Sequence, residues 1–102
     1  MEPKILKKAE TNSKKINLVD GEFTKTQALD VITSLIDQKI NYHKIEGLQM
    51  WESNHHVDQN PIHKRIDALT KEKEDFKNLI ISLKSRNVKL KINGTLTIEL
   101  ID

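Results

Sequence analysis

The chain has 102 residues, of which 36% are apolar and 31% charged, with four aromatics and no cysteine. That length makes a single domain with a lean core, and the missing cysteine excludes disulfides, thiolate metal sites and thiol nucleophiles. The net charge is +2, but the first fifteen residues hold five lysines against two glutamates, while the other 87 hold twelve basic and thirteen acidic side chains. The folded body is therefore close to neutral, which argues against a DNA-binding domain with its concentrated positive surface.

Residues 1–14 read as a flexible basic arm: polar, lysine-rich and without sustained periodicity, with Ile5 and Leu6 as its only strongly apolar pair. The arm lacks the apolar stretch of a secretory signal, and no run in the chain approaches the roughly 18–20 apolar residues of a membrane span. The expectation is a cytoplasmic protein with no membrane association. Ile16-Asn17-Leu18-Val19 reads as a short strand stopped by the turn-prone Asp20-Gly21.

A helix over 25–46 follows. Thr24 and Gln27 fit a capping box, in which a hydroxyl and an amide reciprocally satisfy backbone donors that the first turn leaves unpaired. Leu29, Ile32, Ile36, Ile40 and His43 recur at helical spacing, and Ala28, Val31 and Leu35 widen the stripe. Gly47 reads as the C-cap. Residues 47–60 then read as a long polar loop. A second helix over 61–86 opens with Asn60 as cap and Pro61 in its first turn. Its stripe of Ile62, Ile66, Leu69, Lys73, Phe76, Ile80 and Leu83 has coiled-coil heptad spacing, with Lys73 as the one polar intrusion. Two helices joined this way fold back as a hairpin.

Over 88–101 the period changes to two. Val88, Leu90, Ile92, Leu96, Ile98 and Leu100 alternate with polar residues, the mark of a strand with one buried face. A two-residue turn at Asn93-Gly94 would send the two apolar sets to opposite faces. A three-residue loop or a single strand bent or bulged at Gly94 keeps them together, and glycine inside a strand favours the latter. The predicted fold class is α+β: an antiparallel two-helix hairpin packed on a small β-sheet, formed by a short N-terminal strand and a long C-terminal one, within a single domain over 15–102.

Few groups in this sequence carry chemistry. His55, His56, Asp58 and His63, with Glu52 nearby, are the right ligand types for a divalent metal. Their spacing matches no metal motif and reads better as a solvated loop with Asp58 before a helix start. His43 reads as a satisfied histidine on the apolar stripe. Glu72, Glu74 and Asp75 invite comparison with the paired E-x-x-E and E-x-x-D clusters of the all-helical nucleotide pyrophosphatases, but only Glu72 and Asp75 make such a pair and the first helix offers just Asp30 and Asp37. Here Lys71, Lys73 and Lys77 interleave with the acids and make a charged solvent face instead. Lys84, Arg86, Lys89 and Lys91 are candidates for phosphate contact, without the aromatic interleaving of single-strand binders. No nucleophile sits in a recognisable frame, no glycine-rich phosphate loop is present, and no cofactor is implied.

The expectation is a non-enzymatic, homo-oligomeric interaction or adaptor module, a homodimer whose interface draws on Leu83, Leu96, Ile98 and Leu100, with Trp51 as an anchor for an unknown protein partner. Two alternatives remain open. One is a nucleic-acid-associated regulator using the arm with Lys84, Arg86, Lys89 and Lys91; the other is a small metal-dependent enzyme at the His55–His63 loop.

Overall fold

The computed structural model describes residues 13–85 and 87–101. Four elements follow in order: β1 (Ser13–Thr24), α1 (Lys25–Ser53), α2 (Asn60–Ser82) and β2 (Lys89–Glu99). The helices form a hairpin and the strands an antiparallel two-stranded sheet, so the fold is α+β. Contacts divide the chain into a helical unit, Thr24–Lys89, and a ribbon unit built from the segments on either side of it.

In the helical unit, the capping box at Thr24 is formed. The Gln27 amide N–H donates to Thr24 Oγ1 at 3.1 Å, and the Thr24 N–H donates to Gln27 Oε1 at 3.0 Å. From this start α1 continues to Ser53, seven residues beyond the end that Gly47 suggested. Gly47 is a buried position inside the helix, with an ordinary negative φ. A Cβ there would stand 3.5 Å from Ile62 Cγ2 and 3.4 Å from Gln59 Oε1. Its small size lets α2 approach; it does not reverse the chain. The true end is Asn54, extended in backbone, whose N–H donates to Met50 O at 3.0 Å. The hydroxyl of Ser53 also folds back onto the carbonyls of Gln49 and Met50.

The connection is consequently short, residues 54–59, within the usual range for a helical hairpin. Asn54 Oδ1 accepts the His56 N–H and Asp58 Oδ1 accepts the Asn60 N–H, both at 3.0 Å. The N-cap of α2 is Gln59, not Asn60, and makes no side-chain cap bond. Asp58, one residue earlier, takes the Asn60 donor instead. At its other end α2 stops at Ser82, four residues short of the expected boundary, with the Leu83 N–H donating to Ile80 O.

Three contacts fix the antiparallel register along the hairpin. Near the loop, Gly47 faces Ile62. At mid-length, Lys73 Nζ meets Asp37 Oδ1 at 2.6 Å. At the open end, Lys25 Nζ donates to the Leu83 carbonyl at 2.9 Å. Ala28, Ile40, His43 and Gly47 of α1 and Ile62 and Ile80 of α2 are buried along this seam. Lys73 is thus a bridge across the seam that leaves its ammonium near the surface, the usual behaviour of a long cationic side chain among apolar neighbours.

The ribbon unit departs most from expectation in the length of β1, which runs through Asp20-Gly21 without turning. Gly94 likewise sits inside a continuous β2, so neither hairpin alternative forms there. A Cβ on Gly94 would lie 3.9 Å from Val19 Cβ, and the end of the Asn93 side-chain amide lies 2.8 Å from Asp20 Oδ1. These contacts set Val19 opposite Gly94 and Asp20 opposite Asn93. Carried along the ladder, the register sets Gly21 opposite Ile92 and Phe23 opposite Leu90. The Phe23 ring lies 3.6 Å from where a Gly21 Cβ would be, so the aromatic covers the gap that glycine leaves in the strand surface. Turn propensity at Asp20-Gly21 is overridden by a full-length partner strand. The expected arm over 1–14 lies outside the described residues except for Ser13 and Lys14, which belong to β1.

The Gly47 contact makes a testable difference. Gly47→Ala should raise unfolding free energy by about 0.5–1 kcal/mol, because helix propensity improves and the new methyl meets only ordinary contacts. Gly47→Leu should cost about 1–3 kcal/mol through overpacking against Ile62. Urea denaturation followed by circular dichroism measures both.

Candidate functional site

The histidine-rich connection is the first candidate. His55 and His56 form its turn, and the His55 ring stacks on Trp51 with centroids 4.1 Å apart and planes 19° from parallel. His56 is held by its backbone N–H on Asn54, and Asp58 is occupied with the Asn60 N–H. His63 lies in the first turn of α2, its N–H bonded to Gln59 O. Among the described residues no group of three or more His, Asp or Glu side chains converges as metal ligands would. One imidazole is committed to an aromatic face and the acid to a helix start.

His43, buried at 3% exposure, is a different case. Its Nδ1 lies 3.0 Å from Glu46 Oε1, one turn along the same helix, and its ring packs edge-to-face with Tyr42. The buried polar group is satisfied locally, as burial requires. Three acidic side chains of the two helices are ion-paired with lysines: Asp37 with Lys73, Asp75 with Lys71 at 3.5 Å, and Glu74 with Lys77 at 3.8 Å. The last two are exposed one-turn pairs, each worth no more than about 0.5 kcal/mol.

An open recess of about 420 Å³ is lined by Thr26, Gln27, Leu29, Asp30, Thr33 and Lys77. The Thr33 hydroxyl donates to the Leu29 carbonyl at 2.7 Å. Of the basic candidates, Lys84, Lys89 and Lys91 are exposed, and Arg86 lies outside the described residues. The ribbon register sets Glu22 opposite Lys91, which breaks up positive charge on that face.

Apolar exposure is the more informative property. Four apolar side chains are buried, Ala28, Ile40, Ile62 and Ile80, and no large side chain is fully enclosed among the described residues. Of the candidates for an interface, Leu83 is half-buried beyond the end of α2, whereas Leu96, Ile98 and Leu100 are exposed. Trp51 is exposed at the last turn of α1.

Sequence reasoning missed Tyr42, Ile45 and Leu48, which are exposed on α1 and lead at three-residue steps to Trp51. With a helix end placed at Gly47, half of this row falls in a supposed loop and the pattern vanishes. The signal that finds it is the run Tyr42, Ile45, Leu48, Trp51 itself, tested as an unbroken helix. Comparison of the chain with protein-family models, curated proteins and solved structures gave no match.

The dispersed histidines generate a simple expectation. Protein purified without chelator should carry no stoichiometric zinc or other divalent ion, and His55→Ala combined with His63→Ala should leave its metal content unchanged by elemental analysis.

Proposed function

We propose that this chain is a non-enzymatic interaction module that works as a homo-oligomer. The supporting observation is the state of the ribbon. Two strands alone are marginally stable in water, and each has an unpaired edge among the described residues. The half of the ribbon farthest from Phe23 and Leu90 carries exposed apolar side chains on both faces. Leu96 and Ile98 stand on one face and Ile16 and Leu18 on the other, all exposed, and Leu100 beyond the strand is 73% exposed.

A strand with that much open apolar surface is a template for pairing unless something covers it. A second copy of the same strand satisfies both the open edge and the apolar face, and closed two-fold pairs are the commonest way soluble chains associate. On this reading Leu96, Ile98 and Leu100 supply the apolar part of the contact, and further partners meet surfaces left free by it. The scattered positions of the histidines and acids favour binding work over catalysis. The mixed charge around Lys91 favours protein contact over a nucleic-acid backbone, whose attraction rises with uninterrupted positive charge.

The test is Ile98→Glu. The substitution places a charge at an exposed position, so the helical content seen by circular dichroism should not change. Sedimentation and native mass spectrometry should show the dimer weakened at least tenfold, the equivalent of about 1.4 kcal/mol. A dimer of unaltered affinity would remove the ribbon from the interface. A nucleic-acid ladder in the native spectrum, lost on deleting residues 1–14, would replace this reading with the regulator.

A further inference from the structure

The outer faces of the two helices are built differently. The face of α2 turned away from the seam carries Lys64, Asp67, Lys71, Glu74 and Asp75, which are exposed and partly ion-paired. The matching face of α1, from Gln38 to Gln49, has no charge: Gln38, Asn41, Tyr42, Ile45, Leu48 and Gln49. Helical geometry at 3.6 residues per turn places these positions together, opposite Ile36, Ile40, His43 and Gly47 on the seam. Tyr42, Ile45, Leu48 and Trp51 are between 44% and 57% exposed. Together they present on the order of 400 Å² per copy, at the upper end of what a solitary protein leaves uncovered and about half of one side of a standard interface. Loss of charge, with tyrosine and tryptophan at the margins, is the composition of an interface core.

We infer that this face of α1 is a second contact between copies of the chain, in which two α1 helices pack antiparallel. The inference rests on the self-association proposed above and adds a separate surface to it.

The pattern selects a second copy as the occupant. Asn41, Ile45, Leu48 and Glu52 follow one another at steps of four, three and four, a seam of coiled-coil spacing that is symmetric about its own midpoint. A two-fold axis through that midpoint sets Ile45 against Leu48 of the second copy and Leu48 against its Ile45. At the two ends Asn41 lies against Glu52 of the second copy, an amide donor facing a carboxylate acceptor. Tyr42 and Trp51 fall on opposite flanks of the seam, where they shield its edges from water.

Charge gives the direction. Over Gln38–Ser53 the lysines, Lys39 and Lys44, come first, and the glutamates, Glu46 and Glu52, follow. Parallel packing sets Glu52 against Glu52 within the seam, whereas antiparallel packing separates the two carboxylates and sets each against an Asn41 amide. The Trp51 ring, already stacked on His55, is a pre-ordered flank that costs little entropy to dock.

The absence of native cysteine makes a clean cross-linking test. Asn41→Cys and Glu52→Cys are made separately in the full chain, both at exposed positions. Each is oxidised alone and then as an equimolar mixture. Antiparallel packing predicts several-fold more covalent dimer from the mixture than from either variant alone, and loss of that excess when Ile45→Lys is added without change in helix content. Equal yields from all three, or more from the single variants, overturn the arrangement. So does a parent chain that is monomeric by native mass spectrometry, which also removes the ribbon contact. Ile98→Glu reads the ribbon and the cysteine pair reads α1, so failure of one leaves the other standing.

Discussion

The antiparallel seam between α1 and α2 organises the helical unit, and it is one side chain deep. Its buried members are a glycine, an alanine, three isoleucines and a histidine, and the histidine brings its own hydrogen-bond partner in Glu46. A seam this thin leaves little room for register error. The close approach at Gly47 and the Lys73–Asp37 bridge hold two points of it, and the Lys25 ammonium on the Leu83 carbonyl holds a third. None of these polar contacts needs to be strong. An ion pair that is half in water contributes little net energy, yet a slipped register would strand Lys73 between apolar neighbours without its acid.

Much of this plan is legible in the residues. The Thr24–Gln27 capping box is formed, the repeat from Ile62 to Ile80 lies within α2, and the alternation from Leu90 to Ile98 lies within β2. The boundaries are less legible, for an identifiable reason. Gly47 and Asp20-Gly21 are residues that end elements when nothing else acts on them. In the folded chain Gly47 lies inside α1 against Ile62, and Gly21 lies inside β1 beneath Phe23 and opposite Ile92. The same residue type serves two purposes, and only the identity of its neighbour in space separates them.

The candidate surfaces were unequally visible for the same reason. Leu96, Ile98 and Leu100 stand out because strand alternation survives any uncertainty in boundaries. Tyr42, Ile45, Leu48 and Trp51 form a row only if α1 is unbroken to Ser53, so one misplaced end conceals them. The histidines drew attention by residue type alone. Their spacing gave no geometric reason to converge, and in the fold His55 leans on Trp51 while Asp58 serves the backbone of α2.

The order of elements has a kinetic consequence. β1 and β2 are partners separated by the whole helical unit, so pairing them directly in an unfolded chain means closing a loop of more than sixty residues. The helical hairpin closes over a connection of only six residues, a local event of the kind that leads in folding. Once it has closed, with Lys25 tied to Leu83, the strand that ends at Thr24 and the strand that begins at Lys89 start close together. Strand pairing then becomes a zippering from the Phe23–Leu90 end outward, and the last residues to pair are the apolar ones at the open end. β2 follows the other three elements in the sequence, so its apolar side chains pair only after the helical hairpin has been made.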